Sequence, residues 1–210
     1  MATDVTDIYT EPEPDPDTLA NLGPLRPLAG VWAGATGTDV HPAAAGSETD
    51  TYVERYELQP IDPQTNGPQL FYGLRYHVHI TRPGEVETFH DQVGYWLWEP
   101  ATGAVLQTIA IPRGQVALLS GRAAADATTF EVHAALGSQT AGICSNPFLD
   151  RAFRTVEVRV AVTVRADGTW GYDEDTVMRI EGRDDLFHHT DRHALTKVSE
   201  PAPNPLAANA

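Results

Sequence analysis

The stretch Arg154–Val164, RTVEVRVAVTV, constrains the fold more than any other. Val156, Val158, Val160, Val162 and Val164 fall on one side of an extended chain; Thr155, Glu157, Arg159 and Thr163 fall on the other. A period of two suits a strand with one face in a core and one in water. The run Arg165–Gly168 (RADG) then turns the chain into Thr169–Glu181, a hairpin by its Asp-Gly signal. Further strands are expected over Tyr52–Leu58, Leu70–Thr81, Glu85–Trp98, Ala104–Pro112, Gln115–Gly121 and Thr128–Leu136, with a last one in Asp185–Val198. About nine or ten strands on short Gly, Pro and Asp connections, with almost no helix, imply an all-β fold. Consecutive hairpins favour a roughly ten-stranded antiparallel up-and-down barrel, wide enough for an internal ligand, as an eight-stranded one already is.

The 210 residues suit one such domain, expected over 19–198, between a disordered acidic tail at 1–18 and a disordered C-terminal tail at 199–210. Leu19–Leu28 (LANLGPLRPL) predicts one or two helical turns, broken by Pro24 and Pro27, acting as a lid or plug. Fourteen Lys plus Arg against 29 Asp plus Glu give a formal charge of −15, which disfavours nucleic acid and anionic membranes as partners. The single cysteine, Cys144, allows no internal disulfide and no Cys-based zinc site, and is expected to be a half-buried structural thiol. No signal peptide and no membrane-length apolar run is found, so the expected location is cytoplasmic.

Four groups of residues bear on function. In Gly30–Gly37 (GVWAGATG), Gly30, Trp32 and Gly34 read as a corner that bends the first strand, its indole plugging one end, with Thr38–Pro42 as a loop beyond it that can touch a ligand. Trp96 and Trp98 share a face as a packed aromatic wall. His77 and His79 lie opposite the apolar face of their strand and read as solvated. Asp173, Glu174 and Asp175 sit near a hairpin and also read as solvated.

The histidine strand matters most. Alternation puts Phe187, His189, Asp191, His193 and Leu195 on one face, and Leu186, His188, Thr190, Arg192 and Ala194 on the other. The first set mixes apolar residues with imidazoles, as a wall around a haem iron does, with Asp191 as an acceptor that orients the ligand. A polar strand with His–Asp hydrogen bonds explains the same pattern.

These segments together resemble the nitrobindin family over roughly Leu22–Val198. The resemblance rests on GVWAG, on Gly94–Leu97 (GYWL), and on a Leu-x-His-His final strand that continues His-Thr-Asp-x-x-x-Leu. It implies a ten-stranded barrel holding ferric, five-coordinate haem b on one histidine of the last strand. It also implies nitric oxide binding and isomerisation of peroxynitrite to nitrate. The matching ligand is His189, with His188 as the fallback one register step away. Trp96, Phe187, Leu195 and Thr38 are the expected cofactor contacts. The family's first motif runs Gly-x-Trp-x-Gly-x-Gly; here Thr36 takes the third glycine's place and Gly37 follows it.

The competing expectation is a non-catalytic carrier of fatty acids or similar lipophiles, with Arg75, Arg113 or Arg159 turned inward to hold a carboxylate. Expected partners on either reading are small molecules, and a homodimer is the assembly to test for.

Overall fold

Alternating faces become strands here because each strand can bury one face against the others only by closing a sheet on itself. The computed structural model describes residues 7–209. It contains β1 (Gly30–Ala43), β2 (Gly46–Pro60), β3 (Gln64–Asn66), β4 (Gln69–Thr81), β5 (Thr88–Glu99), β6 (Ala104–Ile111), β7 (Gln115–Arg122), β8 (Thr129–Ala135), β9 (Ile143–Ser145), β10 (Phe153–Val164), β11 (Trp170–Ile180) and β12 (Leu186–Ser199). All pairings are antiparallel. The ten longer strands meander in sequence order, β4 pairing directly with β2, and the ring closes through β1 with β12. The short strands β3 and β9 add to β4 and β7 outside this ring.

The barrel expected from alternation is therefore present, with local differences that have physical reasons. The segment Thr38–Pro42, expected as a loop, continues β1. A register irregularity between Gly34 and Gly37 absorbs one extra residue, so the strand resumes pairing with both neighbours. A second bulge lies at Val156, between Thr155 and Glu157. It turns Thr155, expected on the solvent face, into a buried residue. The helix α2 (Pro147–Ala152) was not anticipated; the Asn146 side chain caps it by accepting from the Phe148 and Leu149 amides, and Pro147 opens it. Cys144, on β9, is exposed rather than half-buried.

One end of the barrel is sealed. Asp17 caps a short helix, α1 (Thr18–Asn21), and a 3-10 helix follows over Gly23–Leu28 with Pro24 and Pro27 inside it. These are the one or two helical turns expected over Leu19–Leu28, and they serve as a plug. Leu22, Leu25 and Leu28 are wholly buried and join the core with Trp32, Trp98 and Leu58. The Trp32 indole donates to the Leu28 carbonyl at 2.7 Å and meets Trp170 edge-on at 5.9 Å. Gly23 has φ +54°, and a Cβ there would overlap the Trp98 ring, so the turn demands glycine.

The stretches flanking the barrel are held to it at their inner ends. Thr18 and Asn204 are buried, and the Asn204 side chain accepts from the Thr18 amide and donates to Asp62. Residues 1–6 of the segment expected as an acidic tail lie outside the described residues. A last short helix, α3, spans Pro205–Ala208. Among the described residues, no helix is long and apolar enough to cross a membrane.

Candidate functional site

Away from the plug the barrel interior holds a cavity of about 450 Å³, a size that suits a small-molecule ligand. Apolar side chains such as Val78, Ile80, Ile109, Val160 and Met178 line one part of it, with Trp96 among them. Trp96 donates to the Tyr56 hydroxyl at 3.0 Å and meets Phe130 edge-on, which fixes its ring as a wall. Among the lining residues, Arg113, Phe148 and Phe153 are exposed and mark the mouth.

The rest of the wall is polar, and strand register builds it. Asp39 of β1 lies opposite Asp191 of β12, and Asp191 lies opposite Glu174 of β11. Three carboxylates thus stand in a row across neighbouring strands, an arrangement of like charges that costs stability. His189 sits two residues from Asp191 on the same face. Its Nε2 donates to Asp39 Oδ1 at 2.7 Å, and Asp191 Oδ2 lies 3.5 Å away. Burial and the neighbouring charge of Glu174 push the Asp191 carboxyl well above the usual range, and burial likewise raises Glu174. Burial acts to lower the His189 imidazole, but its bond to Asp39 and the charge of Asp191 outweigh that and leave it raised. His90 lines the same cavity; burial lowers its pKa and favours the neutral ring.

Below this row lies a second polar layer. His193 Nδ1 donates to Glu54 Oε2 at 2.6 Å, and neither side chain is exposed. The Tyr172 hydroxyl donates to the same Glu54 oxygen, and Tyr52 bonds to Tyr172. The other ring nitrogen of His193 faces the Thr36 amide at 3.4 Å. This layer explains the glycines of the first motif. A Cβ on Gly34 would overlap the His193 ring, and one on Gly37 would overlap the Tyr52 ring. The motif makes room for the polar layer as well as bending the strand.

The expected site residues divide accordingly. His189 and Trp96 line the cavity together. Leu195 is wholly buried in the sealed core, and Phe187 lies near the rim with Arg183 over its ring; neither lines the cavity. Thr38 faces solvent, because alternation along β1 turns Asp39 inward instead. His188, the fallback ligand, also faces out: its side chain is 59% exposed and bonds to Asp175 at 2.8 Å. His77 and His79 are outside, as expected, bonded to Asp91 and Thr88. Of the three acids expected to be solvated, Asp173 and Asp175 pair with the outward Arg192 and His188, whereas Glu174 points inward. Of the three arginines proposed to turn inward, only Arg113 reaches the cavity; Arg75 is exposed, and Arg159 pairs with Glu131 on the outside.

Asp39, Glu54, Glu174 and His90 are the residues that sequence reasoning missed. Two of them carried a readable signal. Glu54 alternates with Tyr52, Tyr56 and Leu58, and Glu174 with Trp170, Tyr172, Thr176 and Met178, so each shares the face of large inward residues.

Comparison with known proteins agrees with this architecture. The family model of the THAP4-like, heme-binding β-barrel domain matches residues 21–197. Among solved structures, the crystal structure of Rv2717c from M. tuberculosis superposes with a TM-score of 0.59 at 19% identity. The alignment covers 86% of this chain and 96% of that one, a likeness of fold. Curated proteins give no match.

Proposed function

The chain belongs to the THAP4-like, heme-binding β-barrel domain family, the nitrobindin family, and on that premise we propose that the cavity beside His189 is its ligand site, with haem as the first occupant to test. One observation carries the reading. Four buried side-chain polar atoms lack a partner among the described residues, and three of them, Glu54 Oε1, Gln107 Oε1 and Trp170 Nε1, belong to residues lining this cavity. Each orphan costs stability on the order of 1–3 kcal/mol, which a fold tolerates best where a ligand or ordered water completes the bonding.

The lining fits a flat, largely apolar ligand along Trp96, Ile109 and Val160, with His189 as the imidazole within reach. Bound there, ferric haem b would supply a Lewis-acid iron, the chemistry on which nitric oxide binding and peroxynitrite isomerisation draw. The chain's own part is to present His189 Nε2, to keep water from the apolar wall, and to offer Arg113 at the mouth to an anionic group. Asp39 opposes the first of these tasks, because it holds the same nitrogen that an iron would take. Ligation therefore requires the Asp39–His189 bond to open. A cytoplasmic location belongs to the same reading.

Absorption titration with hemin tests it. The expected result is a saturable one-to-one Soret shift in the full chain that is lost in His189→Ala. A chain that shows no shift, or the same shift in His189→Ala, removes His189 as the ligand. Arg113 at an otherwise apolar mouth favours a second reading, a carrier of anionic lipophiles. Displacement of a fluorescent fatty acid from the cavity, reduced in Arg113→Ala, would support that reading instead.

A further inference from the structure

We propose that Asp39, His189 and Asp191 form a binding site for one first-row divalent cation, such as Mn²⁺, Fe²⁺ or Zn²⁺. The inference rests on the cavity being a ligand site and does not require haem, which would compete for the same His189 nitrogen. Each residue offers one ligand atom, and the three atoms lie within 4.8 Å of one another. All three come from paired strands, so register rather than a loop sets their spacing. Asp39 is almost wholly buried, and His189 and Asp191 are about three-quarters buried, at 28% and 22% side-chain exposure. An ion here would be largely shielded yet reachable from the cavity.

Two further features point to a cation. Glu174 extends the row of carboxylates across a third strand. The barrel needs no such row for packing, and a double positive charge offsets its repulsion. Independently, the wholly buried Glu54 lines the same cavity with its Oε1 unpartnered among the described residues. The donor set then selects the metal. Carboxylate oxygens alone suit Ca²⁺ and Mg²⁺, whereas an imidazole among them favours first-row transition metals and zinc. The short Asp39–His189 contact is the metal-free counterpart of this arrangement, with a proton lying between donors that an ion would bridge.

The test uses the full chain after treatment with a chelator. Zn²⁺ binding is followed by calorimetry and Mn²⁺ binding by electron paramagnetic resonance, with near-ultraviolet circular dichroism confirming that each variant is folded. The expected result is one saturable equivalent in the wild type. Asp191→Asn and His189→Gln should weaken it by about ten-fold or more, Asp191→Glu should restore part of it, and His188→Gln on the outer face should leave it unchanged. No saturable binding of either ion by the folded wild type overturns the proposal. Equal binding by folded Asp191→Asn and His189→Gln does the same. Hemin titration of the same samples separates the two readings. Hemin uptake without cation binding overturns this inference and leaves the haem reading standing, whereas cation binding without hemin uptake supports the inference and counts against haem.

Discussion

The two halves of the barrel interior are built from the same alternating strands and are finished in opposite ways. At the plugged end, Leu22, Leu25, Leu28, Trp32 and Leu58 are wholly buried, and the one polar atom of Trp32 has its partner. At the other end the inward positions carry Asp39, Glu54, Glu174, His189 and Asp191 around an open space, and three of the four unpartnered buried side-chain polar atoms among the described residues belong to residues that line it. Apolar packing accounts for the first half, where Trp98 Nε1 is the buried side-chain polar atom left without a partner among the described residues. The second half costs stability through like-charge rows and orphaned groups, and a ligand is what recovers that cost. Stability and function are therefore separable along the barrel axis.

The largest expected effect breaks the sealed half. Trp32→Ala removes a fully buried indole and should cost about 3–5 kcal/mol, read as a lower denaturant midpoint at unchanged slope. A midpoint within error of the wild type would mean that the plug does not hold that end. The next effect lies in the open half and has the opposite sign. Glu174 has its pKa raised by burial, so the folded state binds its proton more tightly than the unfolded chain does. The stability this contributes is present below the ordinary glutamate range and is lost as pH rises through the raised value. Glu174→Gln escapes that loss. In the presence of chelator, its melting temperature should exceed the wild type's at pH 8, by an effect on the order of 1 kcal/mol, and the advantage should shrink towards pH 4. A variant that is less stable at pH 8 would show that Glu174 contributes to the fold rather than straining it.

The contrast also marks what could be read in advance. The inward set Phe187, His189, Asp191, His193 and Leu195 follows from alternation alone, because a closed barrel fixes one face inside. The aromatic wall at Trp96 and the leucine plug follow for the same reason. Asp39 was hidden because Thr38–Pro42 has the composition of a turn. Only the bulge between Gly34 and Gly37, which depends on two neighbouring strands, shows that β1 continues through it. Glu174 was hidden by its acidic neighbours Asp173 and Asp175, although the large residues at every second position pointed inward with it. Bringing Asp39 against His189, 150 residues away, depends on closure between the first and last strands. That pairing has no local signature.

A single nitrogen, His189 Nε2, is claimed by Asp39 in this structure and needed by either ligand. Asp39→Asn weakens the claim, since a neutral acceptor holds the imidazole about half as strongly as a carboxylate, and it also removes one charged donor from the cation set. The decisive measurement is the pair of dissociation constants of this variant, for hemin and for Mn²⁺. Hemin is expected to bind more tightly than to the wild type while Mn²⁺ binds more weakly. Two constants that move in the same direction, or neither moving, would contradict that.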